Sequence, residues 1–249
     1  MKIIKTLILV SLFYNFQNLS AQSIKNLDSI DPLNCFKTEK KIKYEKLHIE
    51  LEDYKWIRNI VRTIKKSDQL VKLYKNNNIR LHYPPILPKY KKWQKANIKY
   101  TYKNGIICSG SGKIRLTGDF TDHINKKNYI ASFALKLDDI SINNNTKFKV
   151  FYPPSRRNAG EIFINEFLQE FNFLTPDSRM INVEFGKIAK IKMILQDDIN
   201  KEFLEKNERV EGPIIESNEY IKYQFPDKID ELKKFPVYDV SFALPKIKN

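Results

Sequence analysis

A change of hydrophobic period near residue 90 constrains the fold of this chain most strongly. Over 45–76, apolar side chains recur every three or four residues, which predicts a helix there. Three prolines within 84–88 then interrupt regular structure, and from residue 95 apolar residues alternate with polar ones, as they do in half-buried strands. The sequence therefore predicts an N-terminal helical segment followed by a sheet-forming domain.

The second half of the chain predicts a sheet that one longer helix crosses. Alternating residues bounded by turn residues predict strands over 96–102, 106–108, 114–117, 129–138, 148–152, 181–185 and 188–195. A helical period over 159–171 places Phe163, Phe167 and Phe171 on one face, which we expect to pack on the sheet. This order predicts an α+β fold, a twisted antiparallel sheet with a packed helix, preceded by the N-terminal helix.

The first 21 residues have the layout of a secretory signal peptide. Lys2 and Lys5 form a positive start, a short apolar run follows, and small residues precede Gln22. The apolar run is shorter than the roughly 20 residues that a membrane-spanning helix needs. We therefore expect a secreted or periplasmic protein whose mature chain has no transmembrane segment.

The two cysteines, Cys35 and Cys108, both follow the predicted signal peptide. Two thiols in an oxidising compartment can pair, but the sequence does not place these two near each other, so a disulfide stays open at this point. The chain has no Cys-x-x-Cys pair and no cluster of cysteine with histidine. This pattern excludes a zinc site of the finger type.

The charge balance is strongly basic. Lysine and arginine number 44 against 29 aspartates and glutamates, which gives a formal net charge of +15. Such an excess indicates a polyanionic partner, although a biased genome composition rich in Lys, Ile and Asn would produce it as well. The partner that we expect is an anionic envelope glycan or a protein, and not a nucleic acid.

Three sequence blocks, in this order, carry a resemblance to a known family. They read RLTGDFTDHI at 115–124, FKVFYPPSRRN at 148–158, and LQDDI at 195–199 continuing to EKNERVEGPI at 205–214. Together they resemble the CotH family of secreted, atypical protein-kinase-like proteins over residues 90–219. The resemblance implies a fold like the N-lobe of a protein kinase and a site for ATP and Mg²⁺.

Four residues are candidates for a nucleotide site: Lys136, Lys149, Arg157 and Glu161. Both lysines lie on adjacent predicted strands before the helix of Glu161, and the resemblance favours Lys136, Arg157 and Glu161. A kinase-like lobe holds a strand lysine over the phosphates through a glutamate on the neighbouring helix, and Lys136 and Glu161 match those positions. The alternative is that both lysines are ordinary outward residues of half-exposed strands and that Glu161 is a favourable first-turn acid. Likewise, Arg157 and its neighbour Arg156 would form either an anion site or a solvated turn.

A second cluster in the first block has two interpretations. Asp119, Asp122 and His123 resemble an acid/base or metal-binding group, but a turn at Gly118-Asp119 with a capping Asp122 explains the same residues, and we favour the turn. Asp197 and Asp198, after the last predicted hairpin, would lead towards a second kinase lobe or cap the short helix predicted over 200–206.

The chain departs from the family where catalysis would need it most. Only 35 residues follow Ile214, fewer than a kinase second lobe requires, and Ala134 and Val210 stand where the family tends to have basic residues. We therefore expect no catalytic residues and no metal site, and an exported, catalytically incomplete binding or accessory module at the cell envelope. The alternatives are a secreted kinase acting on a protein or glycan hydroxyl, and a non-catalytic structural or adhesion protein.

The domain organisation that we predict is a signal peptide at 1–21, a linker and helical segment at 22–89, a CotH-like domain at 90–219 and a tail at 220–249.

Overall fold

The computed structural model describes residues 35–38, 42–52, 55–76, 83–186, 189–210, 212–217 and 238–242. The predicted signal peptide lies outside the described residues. Within them the chain forms twelve strands: β1 (Cys35–Lys37), β2 (Lys46–Leu51), β3 (Gln94–Thr101), β4 (Ile106–Leu116), β5 (Ile124–Asn125), β6 (Ile130–Ala131), β7 (Phe133–Leu137), β8 (Lys147–Phe151), β9 (Ser178–Phe185), β10 (Ala189–Asp197), β11 (Pro213–Ser217) and β12 (Tyr238–Phe242). It also forms three α-helices: α1 (Lys55–Asn76), α2 (Gly160–Glu170) and α3 (Lys201–Lys206).

Seven of these strands close into a mixed β-barrel, in the order β4-β3-β2-β9-β10-β8-β7 and back to β4. The pairs are antiparallel except β2 with β9, which run parallel. The predicted α+β fold with a kinase-like N-lobe sheet and a packed helix is therefore wrong. The physical reason is the pairing of β4 with β7, because it joins the two ends of the expected sheet and leaves a closed wall around one core.

A glycine permits the closure between β4 and β7. A Cβ atom built on Gly112 would lie 2.7 Å from the carbonyl oxygen of Lys136 on the facing strand. Any side chain there would push the two strands apart, so glycine is the residue that lets the barrel wall close at this point.

The first strand of the barrel corrects the predicted N-terminal helix. Residues 46–51 form β2, which pairs with β3 and β9, and the helix α1 begins only at Lys55. Leu47, Ile49 and Leu51 alternate with polar residues, but Leu47 and Leu51 are also four apart and so fit a helical period. The helix itself is confirmed over Lys55–Asn76.

Helix α1 closes one end of the barrel. Trp56 is fully buried and stacks on Phe185 at 5.9 Å between ring centroids, and its edge meets Phe133 at 6.1 Å. Ile60, one turn later, is also fully buried. These contacts make the start of α1 a plug for the apolar interior, whose walls come from alternate residues of the seven strands.

A charged cluster closes the other end. Glu45 precedes β2, Tyr100 points inward from β3, and Arg179 points inward from the start of β9. The Tyr100 hydroxyl donates to Glu45 Oε2 at 2.7 Å, and Arg179 Nε donates to the same oxygen at 2.6 Å. Burial raises the pKa of Tyr100. Burial alone would lower the pKa of Arg179, but Tyr100 and Glu45 outweigh it and raise that pKa instead. Arginine stays charged and the phenol stays protonated, so the cluster is a satisfied ion pair.

The two cysteines form a disulfide that links β1 to the barrel. Cys35 on β1 and Cys108 on β4 are directly opposite in register, with Cα atoms 4.1 Å apart, and form a disulfide. The bond joins β1 to the first residues of β4, where the two strands also pair at three positions.

Helix α2 is present almost where it was predicted, but it faces the other way. It has no buried residue, and Phe163, Phe167 and Phe171 are 64%, 49% and 61% exposed. The half-buried face towards the barrel mixes apolar residues, Ile162 and Leu168, with two polar ones that bind the barrel wall. Asn165 donates to Ser178 Oγ at 2.8 Å, and Glu161 accepts from Gln196 at 2.8 Å. The predicted packing of the phenylalanine face on the sheet is wrong, because the helical period fixes which residues share a face but not which face meets the sheet.

None of the helices among the described residues is long and apolar enough to cross a lipid bilayer.

Candidate basic face and groove

The four residues of the predicted nucleotide site lie on the outside of the barrel. Lys136 and Lys149 are half-buried, outward-facing residues of the neighbouring strands β7 and β8. Arg157 lies between β8 and α2, exposed and in the left-handed region at φ 52°. Glu161 lies in the first turn of α2.

The predicted lysine–glutamate pair is not among the ion pairs of the described residues. Glu161 instead pairs with Arg156, with Nε 3.3 Å from Oε2, and accepts a hydrogen bond from Gln196. Lys149 pairs with Asp198 at 3.4 Å. The guanidinium of Arg156 also lies 4.0 Å from the centre of the Phe151 ring. Glu161 and Arg156 therefore fasten the start of α2 to the barrel wall.

Asp197 differs from Asp198 in its role. Asp197 is buried and accepts from Lys206 at 2.9 Å, and Lys206 also binds Asp177. Burial raises the pKa of Asp197, although Lys206 opposes this change. Burial would lower the pKa of Lys206, but the two aspartates outweigh it and raise that pKa. This trio fastens α3 to the end of β10, and Asn200 caps α3 by accepting from the backbone of Phe203.

The residues of the Gly118–His123 segment do not converge on one point. Lys91 binds Asp119 at 3.3 Å, whereas Asp122 accepts from the backbone of His123. Gly118 has φ +88° and lies directly under the His123 ring, 2.2 Å from it when a Cβ is built. In the part of the chain that the structure describes, no three His, Cys, Asp or Glu side chains are grouped so that they could hold a metal ion.

His123 is a buried, neutral residue with a defined partner. Ser132 Oγ accepts a hydrogen bond from the backbone N–H of Tyr152 at 2.8 Å, so the hydroxyl donates its own proton to His123 Nδ1, 3.0 Å away. Burial, with a smaller contribution from Arg156, lowers the pKa of His123 to about 4. This pair connects the segment before β7 with the end of β8, from which the chain leads into α2.

We expect His123 to make the protein less stable in acid. Its pKa is about 4 when folded and about 6.5 when unfolded. The unfolded chain therefore binds the extra proton between these values, and stability falls as the pH drops through that window. The stabilisation, complete above pH 6.5 and lost near pH 4, amounts to about 3 kcal/mol. Urea unfolding from pH 7 to pH 4 measures it. In His123→Asn, whose amide oxygen can accept from Ser132, the pH dependence should be flatter by that amount; an unchanged profile would contradict the assignment.

A row of four lysines crosses four neighbouring strands on the outside of the barrel. Lys95 on β3 is directly opposite Lys113 on β4, Lys113 is opposite Lys136 on β7, and Lys136 is opposite Lys147 on β8. We call this set the lysine row. Like charges directly opposite each other destabilise a sheet. The row is therefore a feature that the fold alone does not favour.

Two of the four lysines in the row have a carboxylate near them. Lys113 pairs with Asp138 at 3.8 Å and Lys147 with Glu202 at 3.9 Å, which are long distances for ion pairs. Among the described residues, Lys95 and Lys136 have no carboxylate partner within 4.0 Å. Lys95 and Lys136 thus carry positive charge that no carboxylate of the described residues pairs with.

A second cationic row and an exposed aromatic ring extend this surface. Two residues away from the lysine row on each strand, Arg115 on β4 and Lys149 on β8 lie opposite Ala134 of β7, one on each side of it. The guanidinium of Arg115 lies 4.7 Å from the centre of the Trp93 ring, which is 42% exposed. The basic face, defined as the lysine row with Arg115 and Lys149, therefore has one flat apolar element at its edge.

A shallow groove adjoins the basic face on the same outer surface. It has a volume of about 600 Å³ and runs over β2, β3 and β4, lined mainly by the polar side chains of His48, Glu50, Asn97, Lys99, Ser109, Ser111 and Asp139. Gly110 forms its floor, where a Cβ would lie 2.2 Å from Asp139 Oδ1. Asp139 is oriented by Ser111, whose backbone N–H and hydroxyl both donate to it. Such a lining offers many hydrogen-bond donors and acceptors.

The sequence identified two members of the basic face, Lys136 and Lys149, but as candidates for a nucleotide site. It missed Lys95 and Lys113, whose outward positions follow from the alternation of β3 and β4. Their alignment with Lys136 follows only from the register between β4 and β7, and that pairing has no local signal in the sequence.

A scan of the chain against protein-family models finds no match, and no curated protein matches it either. The resemblance to the CotH family therefore stays a prediction that rests on the three sequence blocks, and the kinase-like fold that it implied is replaced by the barrel.

Proposed function

We propose that this protein is an exported, non-catalytic binding module that holds an anionic glycan of the cell envelope on its basic face. The observation that carries the proposal is Lys136, which has a lysine on each neighbouring strand and no carboxylate partner among the described residues. An array of fixed cations spaced by the strand separation of roughly 5 Å matches a polymer with repeated negative charges better than a single small anion.

The groove supports a glycan as the polymer. Its polar side chains suit the hydroxyl groups of sugar rings, and it continues into the basic face along β3 and β4. A chain that lies in the groove can extend its charged groups over the lysines. Trp93, at the edge of the basic face, adds a flat surface on which a ring can stack.

The Cys35–Cys108 disulfide supports an exported protein. Disulfides persist in oxidising compartments and are rare in the cytosol. The signal-peptide layout of residues 1–21 points in the same direction. The kinase alternative depended on an N-lobe that the barrel replaces, so ATP and Mg²⁺ are not part of this proposal.

We expect the mature protein to bind dextran sulfate but not neutral dextran, which has the same backbone without charge. Binding should weaken steeply with added salt, since exposed charges are screened over about 8 Å at physiological ionic strength. The double variant Lys113→Glu, Lys136→Glu should bind at least about tenfold more weakly, because it reverses two adjacent charges in the middle of the lysine row. Titration on a biosensor surface measures both effects.

The matched control is the double variant Lys65→Glu, Lys72→Glu. Both lysines are exposed on α1, so the variant has the same net charge as the first but an intact basic face. It should bind within about twofold of the wild type. If both double variants lose the same affinity, binding reports only net charge, and the basic composition alone explains it.

A further inference from the structure

Helix α2 exposes an aromatic stripe that nothing in the described chain covers. Phe163, Phe167 and Phe171 follow each other at four-residue steps and contact one another, with ring centroids 6.2 and 5.0 Å apart. Just after the helix, Phe173 and Leu174 are also exposed, by 62% and 40%. We call these five residues the phenylalanine stripe.

The stripe is large for a surface that stays in water. At about 200 Å² for a whole aromatic side chain, the four exposed phenylalanines leave roughly 500 Å² of apolar area accessible. A stable interface takes about 800 Å² from each partner. The stripe with its polar surroundings is therefore of the size of an interface core.

The charges around the stripe are divided between its two ends. Arg157 is exposed just before α2, whereas Glu166 and Glu170 are exposed along its second half. An anionic lipid surface would meet these glutamates, which disfavours a membrane as the partner. A second α2 in antiparallel orientation would point the basic start of one helix towards the acidic second half of the other, which gives the pair long-range charge complementarity without a direct ion pair.

The stripe is also compatible with two-fold symmetry. Phe167 lies midway between Phe163 and Phe171, about 6 Å from each along the axis at 1.5 Å per residue. Around an axis through Phe167, the stripe is its own partner: Phe167 meets Phe167, and Phe163 meets Phe171 of the second copy. Isologous contacts of this kind are the commonest in soluble oligomers.

We propose that the phenylalanine stripe is a homodimer interface, in which two copies of this chain pair through antiparallel α2 helices. Hydrogen bonds of Asn165 and Glu161 on the inner face of α2 fix the helix to the barrel, so a rigid element presents the stripe. The basic face lies on β3, β4, β7 and β8, whereas α2 binds β9 and β10, so the basic face stays accessible in the dimer. The dimer would therefore offer two basic faces to one polymer.

The test is the molecular mass of the mature protein in solution. Sedimentation equilibrium at 1–100 μM (about the range over which weak dimers form) should show a dimer, and Phe167→Glu should weaken association at least about 100-fold, because it sets two carboxylates against each other on the axis. Tyr83→Glu removes another aromatic residue, 55% exposed and off the stripe, and should leave the dimer intact. A wild type that stays monomeric at the highest concentration, or a Phe167→Glu variant that dimerises equally well, would overturn the proposal.

A monomeric protein that binds lipid vesicles through the stripe would show instead that its partner is a membrane.

Discussion

Replacing Glu45 by alanine should lower the free energy of unfolding by about 4 kcal/mol, because it leaves a buried charge without its counter-ion. The side chains of Glu45 and Arg179 are only 12% and 24% exposed, and one carboxylate oxygen accepts from both Arg179 and Tyr100. In the variant, the guanidinium would retain the Tyr100 hydroxyl, 3.2 Å away, as its partner in the cluster. Chemical denaturation at pH 7 measures the loss.

Removing both charges should cost much less than removing one. In the double variant Glu45→Leu, Arg179→Met the barrel end becomes apolar, and the stability should return to within about 2 kcal/mol of the wild type. Lys201→Ala provides the control, because it breaks the partly exposed pair of Lys201 with Glu205 and should cost less than about 0.5 kcal/mol. A Glu45→Ala variant as stable as this control would mean that water solvates Arg179 in the barrel mouth.

The cluster illustrates what the sequence could predict and what it could not. The alternation of β3 identifies Tyr100 as an inward residue, and the alternation of β9 does so for Arg179. Their contact depends on the parallel pairing of β2 with β9, which joins residues more than 130 positions apart along the chain. Non-local strand pairing of this kind has no signature in a single sequence, so the closed barrel was missed although most of its strands were predicted.

Helices were predicted more reliably in position than in orientation. The range of α2 is correct to within a residue at each end. Its phenylalanines were assigned to the core because apolar stripes usually face it. The polar residues opposite, Asn165 and Glu161, gave no warning, since their partners Ser178 and Gln196 come from β9 and β10.

In the candidate site, too, the sequence predicts the orientation of single residues but not how they are arranged together. Outward lysines can be read from the alternation of each strand, one at a time. Whether they form a row depends on register across four strands, and a shift of one residue between β4 and β7 would turn Lys136 inward. Gly112 permits the close approach of the two strands in that register, but a glycine in a strand predicts only a close approach and does not identify the partner.

The Cys35–Cys108 disulfide should contribute about as much stability as the Glu45→Ala replacement removes. It closes a loop with a sequence separation of 73 residues. The loop-entropy relation gives about 4 kcal/mol for a loop of this size, and that corresponds to roughly 10 °C in the melting temperature of a domain this large. Thermal unfolding with and without a reductant measures the contribution.

The clean variant is Cys35→Ser, because Cys35 is partly exposed whereas Cys108 is buried in the barrel wall, so the core keeps its packing. The variant should melt at the same temperature as the reduced wild type and should not respond to the reductant. A wild type that is equally insensitive would mean that the bond contributes nothing to stability. With the expected result, a protein made in a reducing compartment would lack about 4 kcal/mol of its stability.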